Sequence, residues 1–256
     1  MRSSLDAPMR LSLQLFLLVL LFSGLAGVSL SQTPTPTPTA TPQASPTPTL
    51  EKQFLKNIAR DQKAIWTSPF HVHEGDAKWM APLGLTAGAL MVFDRRTAGH
   101  LHDDPLRLKI SHDISAIGSG YGAGAVAGSL YLIGRWRSDD HLRRTALLGA
   151  EALIDGGIVS AALKEATQRT RPRALEPGDF FEGGRSFPSG HSVAAWSLAT
   201  VVAKEYKGHH AIQILAYGLA AAVSASRFTG RNHFLSDIVV GSAIGYGIGN
   251  FVYKHQ

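Results

Sequence analysis

The sequence contains no cysteine among its 256 residues. This absence excludes a disulfide framework, a lipid-anchoring N-terminal cysteine and a thiolate metal site. Charged residues are also few, at 17% of the chain, whereas apolar residues make up 45%. The basic residues give a net charge of +6 but form no patch interleaved with aromatic side chains, so nucleic acid is not expected as a partner. The charge balance suits an anionic substrate or an anionic membrane surface.

Strand-like alternation of apolar and polar residues is nearly absent. An amphipathic helix is expected within residues 51–81. Six later segments are predicted to be helical, at 82–93, 114–136, 142–169, 192–206, 211–226 and 233–253. The sequence therefore predicts an all-α fold, a helical bundle of about six core helices.

Glycine recurs at every fourth place in two of the predicted helices. The two sets are Gly120, Gly124 and Gly128, and Gly241, Gly245 and Gly249. On a helix each set forms one smooth stripe, where a neighbouring helix can come close. We expect tight helix packing at both stripes. A cofactor-binding loop is the alternative, but no strand precedes either set.

The N-terminal region has the composition of a targeting segment. Residues 1–31 combine the basic Arg2 and Arg10 with a short apolar run at 11–22, which predicts a signal peptide, with an uncleaved N-terminal anchor as the alternative. Residues 32–50 are rich in Thr and Pro and are predicted to be a linker. A single globular domain is then expected to occupy residues 51–256.

This organisation predicts an exported protein, in the periplasm or at the extracytoplasmic face of the membrane. Residues 114–136 and 235–253 are long enough to cross a bilayer, but Gly, Ala and Ser dilute their hydrophobicity. We therefore expect membrane association. The sequence does not distinguish an integral from a peripheral protein and gives no oligomeric state.

The first candidate site motif runs from Ser226 to Asp237. His233 and Asp237 are four residues apart and would share one face of a helix. A carboxylate there fixes the tautomer of the imidazole and leaves its other nitrogen as a nucleophile. Arg227 adds a guanidinium, the side chain best matched to a phosphate. The alternative is an ordinary hydrogen bond at a helix start.

The second motif is Pro-Ser-Gly-His at 188–191, before an apolar helical run. It predicts a helix N-terminus, where the free amides of Ser189 and Gly190 would bind an anion beside His191. The alternative is a capping residue followed by a surface histidine.

The third motif holds two basic residues, Lys164 and Arg171, which are seven residues apart and so lie on one helix face. Pro172 is expected to end that helix and to hold Arg171 at its end. The alternative is a solvated basic helix tail.

In this order the three motifs resemble the signature of the type 2 phosphatidic acid phosphatase and vanadium haloperoxidase superfamily. Every fixed position of the pattern Lys-x6-Arg-Pro, Pro-Ser-Gly-His and Ser-Arg-x5-His-x3-Asp is met between Lys164 and Asp237. The resemblance implies an all-α bundle and a phosphatase that needs no metal or other cofactor. Its substrate would be a phosphomonoester, either small or a lipid phosphate such as phosphatidate, or an isoprenyl or glycerol phosphate.

The same chemistry assigns a role to each residue. The phosphate-binding set is Lys164, Arg171, Arg227, Ser189 and Gly190, which neutralise or hydrogen-bond the phosphoryl oxygens. His233, oriented by Asp237, would attack phosphorus and form a phosphohistidine. His191 would protonate the leaving alkoxide and then take a proton from water.

Alternatives use the same anion cradle. A vanadium-dependent haloperoxidase would hold vanadate there, and a phosphotransferase would pass the phosphoryl group to another acceptor. A lipid-binding scaffold would have no use for the catalytic set. Two His-x-His pairs, at 71 and 73 and at 100 and 102, could bind metal, but they lack acidic or cysteine partners, and no metal is expected.

Overall fold

The computed structural model describes residues 50–71 and 75–256. The predicted signal peptide and nearly all of the predicted linker lie outside this part. The described helices are α1 Leu50–Thr67, α2 Ala77–Gly99, α3 Pro105–Ile117, α4 Gly120–Arg137, α5 Asp140–Thr167, α6 Gly190–Glu205, α7 His210–Thr229 and α8 Leu235–His255, with a 3₁₀ turn at Ser68–His71. Within the described ranges there is no strand, so the predicted all-α fold is confirmed.

The single helix predicted over 114–136 is wrong. Two helices, α3 and α4, meet there at an angle of 44°. The break lies at Gly118 and Ser119, where Ser119 has an extended backbone and its hydroxyl accepts a hydrogen bond from the Gly122 amide at 2.9 Å. This is an N-cap, which starts a new helix. Gly118 packs so closely on Val223 that a Cβ there would overlap that side chain.

Helix α6 is the centre of the bundle and packs against α5, α7 and α8. The glycine stripe of α8 faces it directly. A Cβ at Gly241 would lie 2.7 Å from the Ser189 carbonyl oxygen, and one at Gly249 would lie 2.5 Å from the Ser197 carbonyl oxygen. Tight packing is therefore confirmed for this stripe, and it brings the beginnings of α6 and α8 together.

The glycine stripe of α4 is different. A Cβ at Gly120, Gly124 or Gly128 would meet no atom within 4 Å, so the predicted tight packing is wrong here. Helices α4 and α5 touch at their joined ends, where a Cβ at Gly134 would lie 2.8 Å from the Arg143 amide. Along the stripe they leave a cavity instead.

Three of the described helices, α5, α7 and α8, are long and apolar enough to cross a membrane. The bent pair α3–α4 would make a fourth span if the two helices cross the membrane together. Short connections make α6, α7 and α8 run alternately up and down. As a result α5 and α7 end, and α6 and α8 begin, at the same end of the bundle.

Candidate active site

The predicted site residues come together at this end of the bundle. Lys164 lies in the last turn of α5, His191 in the first turn of α6, Arg227 in the last turn of α7, and His233 just before α8. The charges of Arg227, His233, Lys164 and Arg171 all act on the pKa of His191. Residues from all three sequence motifs therefore surround one imidazole.

His233 and Asp237 are both buried, and His233 Nδ1 lies 3.4 Å from Asp237 Oδ2. They do not share a helix face, because α8 begins at Leu235 and His233 precedes it. Asp237 is the third residue of α8, and its Oδ2 accepts a hydrogen bond from the Phe234 amide at 3.0 Å. The capping contact turns the carboxylate back towards His233. The 3.4 Å separation is longer than an ordinary N–H···O hydrogen bond.

Asp237 is held by two further side chains that the sequence analysis missed. Arg169 Nη1 donates to Asp237 Oδ1 at 2.6 Å, and Ser186 Oγ donates to Oδ2 at 2.6 Å. Arg169 is 2% exposed, and its Nη2 donates to Asp94 Oδ2 at 2.9 Å. Bonds to both oxygens fix the orientation of Asp237, so it is a rigid partner for His233.

The loop between α5 and α6 encloses Arg169. The guanidinium lies 5.0 Å from the centre of the Phe180 ring and 4.4 Å from that of Phe234. Its Nε donates to the carbonyl of Gly178, which has a φ of +88° that favours glycine. The loop between α5 and α6 thus holds the side chain that supports Asp237.

The three basic residues have no carboxylate of their own. Lys164 Nζ donates to the backbone carbonyls of Arg185 and Pro188. Arg227 is 8% exposed, and its Nη1 donates to Ser115 Oγ at 2.9 Å. Arg171 is exposed. Within residues 50–71 and 75–256, none of Lys164, Arg171 and Arg227 forms a salt bridge, so their charge is left for an anion.

The N-terminus of α6 offers fewer amides than the sequence predicts. The Ser189 amide donates to the Asp237 carbonyl at 3.0 Å and is not free for a ligand. The buried Ser189 hydroxyl caps α6, accepting from the Ser192 amide at 3.5 Å. Gly190 is the first residue of α6, so its amide has no partner within the helix. An anion would therefore meet the Gly190 amide and the Ser189 hydroxyl.

Both histidines are expected to be neutral at neutral pH when no anion is bound. Burial, followed by the charge of Arg227, lowers the pKa of His191 to about 3. Burial also lowers the pKa of His233 to about 4, although Asp237 opposes the change. A neutral His233 keeps a free lone pair and can act as a nucleophile. His191 can donate a proton only after its pKa has been raised.

In the two His-x-His pairs, the first histidine lies beside a backbone carbonyl of its own helix. His71 Nδ1 is 2.9 Å from the Thr67 carbonyl, and His100 Nδ1 is 2.6 Å from the Arg96 carbonyl. His73 is outside the described residues. In the part that is described, no group of three or more His, Asp or Glu residues is arranged to hold a metal ion.

Comparisons with known proteins agree with the motifs. Residues 145–256 match the model of the PAP2 superfamily. The lipid A 1-phosphatase of Porphyromonas gingivalis is 30% identical over 99 residues, which are 38% of this chain and 20% of that protein. The chain thus spans about a fifth of the length of this curated relative.

Two solved structures are similar. The first transmembrane PAP2 type phosphatidylglycerolphosphate phosphatase from Bacillus subtilis is 22% identical, with a TM-score of 0.48 over 80% of this chain and 92% of that one. Aquifex aeolicus LpxE is 23% identical, with a TM-score of 0.45 over 64% of this chain and 93% of that one. The family match covers residues 145–256 and so includes all three motifs, from Lys164 to Asp237.

Proposed function

We propose that this protein is a lipid phosphatase that hydrolyses a phosphomonoester through a phosphohistidine. The observation that carries the proposal is the set of three unpaired basic residues, Lys164, Arg171 and Arg227, around two neutral histidines. A phosphate dianion complements this charge. The matched relative is named for a phosphatase that acts on lipid A, which supports a lipid phosphate as the substrate class.

The reaction has two steps. In the first, the free ring nitrogen of His233 attacks phosphorus, the N–P bond forms, and the ester P–O bond breaks as His191 gives its proton to the leaving oxygen. Asp237 stabilises the proton on Nδ1 as the ring becomes positive. In the second, water attacks phosphorus, His191 takes a proton from it, and the N–P bond breaks. Both histidines are then ready for another cycle.

We also propose that the protein is integral to the membrane. Besides the three apolar helices α5, α7 and α8, many large apolar side chains are exposed on the outside of the bundle. They include Trp79, Leu85, Val92, Tyr121, Leu132, Trp136 and Ile214. Exposed apolar surface on this scale is typical of contact with lipid. The export predicted from residues 1–31 would place the site at the extracytoplasmic face.

Phosphate release from the detergent-solubilised protein tests the function. The substrates are phosphatidate, phosphatidylglycerol phosphate, lipid A 1-phosphate, undecaprenyl diphosphate and an aryl phosphate. We expect turnover of at least one lipid phosphate, retained in a strong chelator and inhibited by vanadate, which mimics five-coordinate phosphorus. Folded protein that turns over none of them, or that requires a divalent ion, would contradict the proposal. Bromide oxidation by peroxide with added vanadate tests the haloperoxidase alternative.

Anion binding is expected to be accompanied by proton uptake. Burial and nearby positive charge lower the pKa of His191 to about 3. A bound dianion offsets that charge and raises this pKa, so a proton is taken up with the anion. Calorimetry with dilute tungstate in buffers of different ionisation enthalpy measures the uptake. It should be largest in mildly acidic buffer, since the free site is still unprotonated there.

Two variants identify the proton acceptor. His191→Gln should lose most of the uptake, whereas His233→Gln should retain it. Uptake that is unchanged in His191→Gln would show that another group is the acid.

A further inference from the structure

Helix α3, Pro105–Ile117, lies outside the region that the family model matches, and none of the three motifs falls on it. It begins with Pro105 at its first position, and the Asp104 carboxylate accepts a hydrogen bond from the Arg107 amide at 2.6 Å. Both features are signals of a helix N-terminus. The helix packs against α7, whose last turn carries Arg227. The motifs therefore do not explain what α3 does beside the site.

Helix α3 presents a row of polar side chains to the end of α7. Arg107, Ser111 and Ser115 follow one another at intervals of four residues, so they lie on one face. Arg107 donates to the Thr229 carbonyl, and Ser111 Oγ lies 2.7 Å from Thr229 Oγ1. Ser115 Oγ accepts a hydrogen bond from Arg227 Nη1 at 2.9 Å. Of these three side chains, Ser115 is the one that reaches a cation of the site.

The hydrogen bonds of Ser115 have a definite direction. Its side chain is buried, and its hydroxyl donates to the His112 carbonyl at 3.1 Å. Because the hydroxyl proton is directed at a carbonyl of its own helix, a lone pair of the oxygen is available to Arg227. A rigid helix backbone thus fixes the acceptor that holds the Arg227 guanidinium.

Another nitrogen of the same guanidinium gives a second observation. Arg227 Nε is buried and has no hydrogen-bond partner among the residues that the structure describes. A buried N–H group without a partner is unfavourable, so it points to an acceptor atom that a ligand supplies. The protein thus holds Nη1 of this guanidinium and leaves Nε for an anion.

We propose that Ser115 is a positioning residue of the phosphate-binding site, which holds Arg227 in the orientation where its Nε faces the anion. The proposal rests on the anion-binding role of Arg227 in the proposed phosphatase, and it adds a residue that no motif identifies. A guanidinium that is already oriented loses less conformational freedom when the anion binds. Asp94 on α2 supports Asp237 through Arg169 in a comparable way.

Calorimetric titration of the detergent-solubilised protein with tungstate tests this role, because the measurement needs no turnover. Ser115→Ala is expected to weaken tungstate binding about tenfold, since a long side chain must then be ordered when the anion binds. Ser115→Thr and Ser115→Val isolate the hydroxyl, because the two new side chains have nearly the same shape and only the first can accept from Arg227. Ser115→Thr should therefore bind tungstate about tenfold more tightly than Ser115→Val.

Ser111→Ala is the matched control. Ser111 lies one turn earlier on the same face of α3, is also buried, and bonds to Thr229, two residues beyond Arg227. Its replacement removes a buried hydroxyl and one contact between α3 and α7, as the replacement of Ser115 does. The two alanine variants should therefore lose similar stability in denaturant unfolding, whereas only Ser115→Ala should bind tungstate more weakly.

The outcomes separate this proposal from the phosphatase function. Unchanged tungstate affinity in Ser115→Ala, equal affinities of Ser115→Thr and Ser115→Val, or an equal loss in Ser111→Ala would each overturn the positioning role, whatever the turnover. Wild-type protein that binds no tungstate would overturn the anion site and this role with it. Wild-type protein that binds tungstate but hydrolyses no substrate would contradict the phosphatase alone, and the same comparison of variants would still decide the role of Ser115.

Discussion

Replacement of His233 by alanine is expected to lower turnover by roughly 10⁴-fold or more, because the nitrogen that we propose bonds to phosphorus is lost. The cations remain, so the affinity for tungstate should change little. His233 is 2% exposed, and alanine would leave a small cavity. His233→Gln keeps most of the volume and should be equally inactive. Phosphate release measures the turnover of each variant. Rapid quenching with labelled substrate should detect an acid-labile phosphoenzyme only in the wild type.

A matched control is His100→Ala. His100 is exposed just after α2, and its Nδ1 lies 2.6 Å from the Arg96 carbonyl oxygen. Its replacement should leave turnover unchanged, which also tests the metal alternative for the His-x-His pair. Turnover near the wild-type level in both His233 variants would show that the nucleophile is another group.

Replacement of Arg169 by methionine is expected to be the most destabilising change in the site. It leaves the carboxylates of Asp94 and Asp237, which are 1% and 0% exposed, without their shared cation. Breaking a buried pair in this way lowers the free energy of unfolding by about 3–5 kcal/mol. Turnover should also fall, because the orientation of Asp237 is lost. Denaturant unfolding in detergent, with turnover measured in parallel, checks both results.

Arg173→Met is the control for this change. Arg173 lies in the same loop, is half exposed, and pairs with Asp103 at 3.6 Å. Surface pairs of this kind contribute at most about 1 kcal/mol, so the variant should be nearly as stable as the wild type. Equal destabilisation by the two substitutions would mean that Arg169 contributes no more than any loop residue.

The sequence indicated which residues come together at this end of the bundle, but not how they are held. The spacing of His233 and Asp237 indicated the pair, although a capping contact before α8 brings them together and not a helix face. Arg169 falls between Lys164 and Arg171, at a position where the motif allows any residue. Its partner Asp94 is 75 residues away in sequence. No local pattern identifies a contact of that range.

The two glycine stripes show a similar limit of prediction from the sequence. Their spacing is the same, yet Gly245 lies against the backbone of α6, whereas Gly124 faces open space. The difference depends on what the neighbouring helix presents, and spacing carries no information on that. The break at Ser119 could have been predicted from the sequence, since a serine between two glycines is a recognisable helix start. The long apolar pattern on either side of it favoured a single helix instead.

The hydrogen bond from the Ser189 amide to the Asp237 carbonyl joins the start of α6 to the start of α8. One of these elements carries the Gly190 amide and His191, and the other carries the carboxylate beside His233. The backbone thus sets the distance between the proposed acid and the proposed nucleophile, and little reorganisation would be needed during the reaction. The close packing of α8 on α6 determines this geometry. A methyl group added at Gly249, deep in the bundle, is therefore expected to disturb the alignment of His191 and Asp237 at the far end of the same two helices.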